Sequence, residues 1–152
     1  SSMQKLQLSI DIHAPKEKVW DTVISDATYR EWTSVFSPGS YFKGSWDKGS
    51  KILFLGPDPE TGEVGGMVSR IADNRLYEFL SVEHLGIYKN GIEDTESEEA
   101  KKWAPAYENY SFEEKDGVTT FSLDMDIEDS YKEPMEGMWK EALEKLKALS
   151  EK

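Results

Sequence analysis

Two histidines, His13 and His84, are the first candidates for chemistry in this chain of 152 residues. Each falls at the end of a predicted strand. A protein-bound metal needs several convergent ligands, usually three or four for zinc. Neither histidine has a partner at metal-binding spacing such as H-x-x-x-H. There is no cysteine, which removes thiolate ligands and thiol nucleophiles together. No Gly-x-Ser-x-Gly elbow marks an activated serine. The acidic run Glu93, Asp94, Glu96, Glu98 and Glu99 lacks the D-x-D-x-D-G order of a calcium loop and reads as a solvated face. The residues point to no metal, no cofactor and no catalytic nucleophile.

Glu78 and Glu83 are the carboxylates with most potential, because both fall in a predicted strand over residues 76–84. Alternation puts them on opposite faces, with Glu78 in phase with Leu80 and His84. The inward one is desolvated and fit to act as an acid or a polar anchor, and the outward one is a solvated charge. Which is which depends on register, since a bulge swaps the faces. Arg70 raises the same choice between a ligand carboxylate and a surface Glu. Arg75 falls at a turn and reads as exposed.

Aromatic residues are the stronger signal, with 5 Trp, 7 Tyr and 6 Phe in the chain. Trp32, Phe36, Tyr41, Phe42 and Trp46 crowd one polar-aromatic link. Tyr88 and Trp103 flank residues 86–103. Met135, Met138 and Trp139 share one face of the last helix. Tyr and Trp add a polar handle to an apolar wall, and Met adapts to irregular contents. These ten residues are the candidate ligand-binding set. Trp20 is read as core.

Leu8, Ile10 and Ile12 alternate as in a half-buried strand. Pro15 opens a helix whose inner face is Val19, Trp20, Val23 and Ile24. Ser25 caps a second short helix that ends on Trp32. Strands follow at 41–46 and 51–55, then a hairpin of 64–72 and 76–84 turning at Asp73-Asn74. Thr95 with Glu98 fits a capping box, predicting a short helix over 96–103 that Pro105 ends. Strands 107–114 and 118–128 turn at Asp116-Gly117. Residues 130–149 have helical period, with Met135, Met138, Trp139, Ala142, Leu146 and Leu149 in one stripe. The short links favour antiparallel pairing. The predicted architecture is α+β with a helix-grip fold. A curved antiparallel sheet wraps round a long C-terminal helix, with two short helices after the first strand. A twisted sheet rarely closes fully on one helix, and the remaining gap is a natural small-molecule cavity.

The length suits a single domain over residues 3–152, with Ser1 and Ser2 set aside as a cloning scar. A formal charge of −12 and the absence of a basic cluster argue against a nucleic-acid partner. No apolar run reaches the ~18 residues of a membrane span, and no signal peptide opens the chain. The expected location is cytoplasmic. No motif singles out a protein partner.

The pieces APKEKVWDTV, YREW, YFKGSWDKGSKILF, MVSRIADNRLYEF and DGVTTFSLDM, followed by the terminal helix, together resemble the SRPBCC superfamily of START, birch-pollen-allergen and polyketide-cyclase relatives. Within it the chain is most similar to the heat-shock protein 90 ATPase activator homologue-like family. The resemblance implies the helix-grip fold and a cavity, and it does not imply a reaction. Superfamily members bind lipids, sterols, flavonoids, hormones and polyketide intermediates, and some cyclise or dehydrate them. The expected function is therefore binding of a small, largely apolar ligand, aromatic or lipid-like, between sheet and helix. The alternatives are a polyketide cyclase or aromatase and a chaperone-activator-like interaction module. Residues 86–103 exceed the family's usual link and are expected to form a lid whose Trp103 packs at the cavity mouth, the alternative being a mobile acidic excursion with no contact to the cavity.

Overall fold

The computed structural model describes residues 2–152. Ser1, half of the predicted cloning scar, lies outside the described residues. The first strand, β1 (Met3–Ile12), runs into α1 (Lys16–Ile24) and α2 (Asp26–Trp32). Pro15 precedes α1, where its missing N–H leaves no hydrogen bond unmade. Strands β2 (Tyr41–Gly44), β3 (Lys51–Pro57), β4 (Val64–Arg75) and β5 (Phe79–Lys89) follow. A short β6 (Ile92–Asp94) and a single helical turn, α3 (Glu98–Lys101), lead to β7 (Ala106–Lys115) and β8 (Val118–Glu128). The chain closes with α4 (Asp129–Ser150). All strand pairs are antiparallel, in the order β1-β8-β7-β5-β4-β3-β2, with β6 added to β5. This is the helix-grip fold: a curved sheet holding α4, with α1 and α2 beside it.

Three local features differ from the sequence reading. Asp73-Asn74 is not a turn. An extra residue, Ala72, sits between the pairs Ile71–Val82 and Asp73–Ser81, and pairing continues to Arg75–Phe79. The turn therefore falls on residues 76–78, and Glu78 lies outside the strand. The helix in residues 86–103 starts later than expected. The Asp94 carboxylate accepts from Glu96 N and Ser97 N at 3.1 and 3.0 Å. That turn makes Ser97, not Thr95, the cap, and its Oγ accepts from Ala100 N. β6 has no sequence signal, since two of its three residues are acidic and none is buried.

The core is a single apolar layer between the sheet and the helices. Trp20 is buried against Phe112 and Tyr77, with ring centroids 5.1 and 5.9 Å away. Ala142, Leu143 and Leu146 bury the C-terminal half of the α4 stripe. Leu53, Leu55 and Val68 form a separate small cluster with Tyr41 and Tyr88. Leu53 and Leu55 alternate with the core residues Ile52 and Phe54, so this cluster starts on the opposite face of the sheet. Gly86 lets the following segment cross the sheet closely, because a Cβ there would lie 2.1 Å from the Asp94 carbonyl oxygen. Between the N-terminal half of α4 and the sheet a cavity of about 470 Å³ remains. Trp139, 4% exposed, stands at its inner end.

The two tryptophans therefore sit in different surroundings. Trp20→Ala is expected to cost about 3–5 kcal/mol. Trp139→Ala is expected to cost less, because one side of its ring borders empty space rather than packed atoms. Urea titration of both variants checks this, and a larger loss for Trp139→Ala would contradict it.

Candidate functional site

The cavity lies between the sheet and the helices, and its wall outside the sheet comes from three places. α2 and the turn after it supply Trp32 and Phe36, α4 supplies Met135 and Trp139, and the segment before β7 supplies Trp103. The Trp139 ring lies 5.8 Å from Trp32, 4.9 Å from Phe36 and 6.2 Å from Tyr110 between centroids. At the mouth, Trp103 meets Tyr131 of α4 edge-on at 4.7 Å.

The other five sequence candidates do not line this cavity. Phe42 and Trp46 turn into closed core around Tyr29, at 5.1 and 6.2 Å. Tyr41 points the other way along β2, where Arg30 lies over its ring at 5.3 Å. Tyr88 packs into the separate cluster with Leu53 and Val68. Met138 is half-buried one residue before Trp139, and that step of about 100° around a helix takes it off the wall.

The cavity floor is polar, and the sheet builds it across three neighbouring strands. Ser69 on β4 and His84 on β5 are direct cross-strand partners. Ser69 Oγ lies 2.7 Å from His84 Nδ1. His84 pairs with Ala106 on β7, so Glu108 is its diagonal neighbour on the same face. His84 Nε2 reaches Glu108 Oε1 at 3.0 Å. Tyr110, two residues further along that face, donates its hydroxyl to Glu108 Oε2. A neutral imidazole satisfies the whole row: Ser69 donates to Nδ1, and Nε2–H donates to the carboxylate. Just beyond the row β5 carries an extra residue, Leu85, between the pairs Ser69–His84 and Val68–Gly86. His84, Glu108 and Tyr110 line the cavity, whereas Ser69 is fully buried behind His84. Ser69 thus holds the imidazole and has no access to the cavity.

The register also answers the question about the two carboxylates. Glu83 faces away from the cavity and is bound by Arg70 at 3.0 Å and by the Tyr107 hydroxyl at 3.3 Å. Glu78 is exposed in the turn, 3.7 Å from Lys16 Nζ. His13 is exposed, and its backbone N–H donates to Glu151. Ser69, Glu108, Tyr110 and Tyr29 are absent from the sequence-based candidates. The available signal is alternation: Glu108 is in phase with Tyr110 and Phe112, which are buried in the core.

Tyr29 comes down from α2 to the same floor, buried like Tyr110. Burial pushes both phenols above their ordinary range, and the nearby Glu108 carboxylate adds to the effect. Hydrogen bonds to Ser40 and Thr33 oppose it at Tyr29. Each phenol therefore keeps its proton to higher pH in the folded chain than in the unfolded one. The folded state binds more protons above the ordinary value of about 10, so this stabilisation is whole below that pH and declines as pH rises further. Urea midpoints measured across this alkaline range should fall, and less steeply in Tyr29→Phe. An identical slope in the variant would contradict the assignment.

A model of the family described as activator of Hsp90 ATPase homolog 1-like protein matches residues 13–151. No curated protein matches the chain. Among solved structures, a protein of Cytophaga hutchinsonii superposes with a TM-score of 0.70 at 18% identity, covering 95% of this chain and 91% of that one. A protein of Nitrosomonas europaea gives 0.69 at 15% identity, covering 95% and 92%. DynU16, a protein of the dynemicin biosynthetic locus, gives 0.66 at 12% identity, covering 95% of this chain and 46% of that one. At these identities the structural likenesses establish the fold alone. The family match, which spans nearly the whole chain, establishes that this protein belongs to the activator of Hsp90 ATPase homolog 1-like family.

Proposed function

We propose that the protein binds one small, largely apolar ligand in the cavity between the sheet and α4. The observation that carries this reading is the cavity's construction: about 470 Å³ walled mainly by apolar and aromatic side chains and ending on hydrogen-bonding groups. That volume lies within the usual range for small-molecule sites, and so does the mixture of many apolar groups with few polar ones. Trp32, Phe36, Met135 and Trp139 hold the ligand's apolar body. His84, Glu108 and Tyr110 orient its polar end. Trp103, against Tyr131, gates the mouth. Cytoplasmic location stays part of this reading, and among the described residues no helix is long and apolar enough to cross a membrane.

A second reading is an acid–base enzyme of the cyclase or aromatase type. It is favoured by one observation, the convergence of His84, Glu108 and Tyr110 on the same cavity floor. Proton transfer needs such groups within hydrogen-bond reach of the reacting atom. A protein-interaction role makes no use of the cavity.

Two variants test the cavity site and its gate. Met135→Trp fills the space beside Trp139 and is expected to abolish binding of the neutral dye Nile red while preserving the far-ultraviolet circular dichroism spectrum. Undiminished, blue-shifted dye fluorescence in that variant would contradict the cavity site. Trp103→Ala opens the mouth and is expected to speed both dye association and dissociation with affinity little changed. Stopped-flow rates equal to those of the unmodified protein would remove the gate.

A further inference from the structure

We infer that the cavity selects a lipophilic cation, a protonated amine carried on an aromatic or alicyclic body. This rests on the binding reading above and names the charge of the ligand. Four ionisable side chains other than tyrosine line the cavity: His84, Glu108, Asp126 and Glu128. Among the described residues, no lysine or arginine lines it. Two of the three carboxylates have their own work. Asp126 is held by Lys5 Nζ at 2.7 Å and by Tyr107 N–H at 2.9 Å. Glu128 caps α4 through Ser130.

Glu108 is different. Its side chain is 16% exposed. Its oxygens receive hydrogen bonds from His84 and from Tyr110, and in the row completed by a neutral imidazole neither donor carries a charge. Hydrogen bonds hold a desolvated carboxylate in place, yet they leave its charge unbalanced. A cationic ligand supplies the counter-charge from the open side of the cavity.

The walls suit the same ligand. Tyr29, Trp32, Phe36 and Trp139 stand round the floor, and aromatic faces attract cations through their quadrupoles. An anionic ligand meets the opposite conditions, a like charge at the floor and no lysine or arginine to receive it. The chain's net charge of −12 adds a long-range field that draws cations and repels anions.

The test is isothermal calorimetry of the full chain near neutral pH with three compounds of one ring system: naphthylethylamine, naphthylethanol and naphthylacetic acid. The amine is expected to bind about tenfold or more tighter than the alcohol, the equivalent of one favourable charge contact. The acid is expected to bind weakest. Glu108→Gln keeps the shape and one acceptor oxygen while removing the charge, and should bring amine and alcohol to within about twofold of each other. An amine no tighter than the alcohol, or an acid as tight as the amine, overturns the inference and leaves the cavity as a site for neutral ligands. An amine preference that survives in a folded Glu108→Gln also overturns it. Failure of all three compounds to bind at millimolar concentration overturns both this inference and the binding reading. The ranking on the unmodified protein decides alone should Glu108→Gln not fold.

Discussion

One helix has to cover the inner face of a seven-strand path, and its apolar stripe is too short to do so. The C-terminal half of α4 meets this constraint by direct packing: Ala142 and Leu146 are fully buried, and Leu143 nearly so. The helices α1 and α2 close the sheet beside it through Val19, Trp20 and Trp32. At the N-terminal half of α4 no further element enters from inside, and the sheet and helix diverge around the cavity. Trp139 lies where the packed half meets the open half. Its contacts with Trp32, Phe36 and Tyr110 tie both helical layers and the sheet together at that boundary.

The same geometry accounts for the polar floor. Inward positions on β4, β5 and β7 are mostly apolar where α1 and α4 cover them, as at Ile71, Leu80, Val82 and Phe112. Where the helix has left the sheet, the inward positions become Ser69, His84 and Glu108. Polar groups so deeply placed must be satisfied locally. They satisfy one another across adjacent strands, and Tyr110 completes the row. On the proposed reading, a fixed polar row at the end of an apolar space would give a ligand one orientation.

Much of the fold is legible in the sequence because its signals are periodic. The alternation of Leu8, Ile10 and Ile12, the helical stripe from Met135 to Leu149 and the Pro15 start each report a local rule that tertiary contacts reinforce. The candidate site is less legible. Trp32, Phe36, Trp103, Met135 and Trp139 line the cavity, whereas Phe42 and Trp46, chosen from the same aromatic segment as Phe36, pack round Tyr29 and show that aromatic density alone does not distinguish wall from core. His84 meets Ser69 in a stretch of β4–β5 pairing bounded by single extra residues at Ala72 and Leu85, and Glu108 through the β5–β7 register. Such insertions carry no compositional mark. β6 depends on its pairing with β5, again a tertiary event without a pattern of its own, and the Ser97 cap follows from local hydrogen bonds to the Asp94 carboxylate.

The central claim is that the space between α4 and the sheet is occupied by a specific small molecule in the protein's own setting. Native mass spectrometry of the protein purified from its own cells tests this most directly. The account requires a species heavier than the polypeptide by one small molecule, in a one-to-one ratio and released intact when the protein is denatured. The bare polypeptide as the sole species, in preparations kept free of detergent and extensive dialysis, would contradict it.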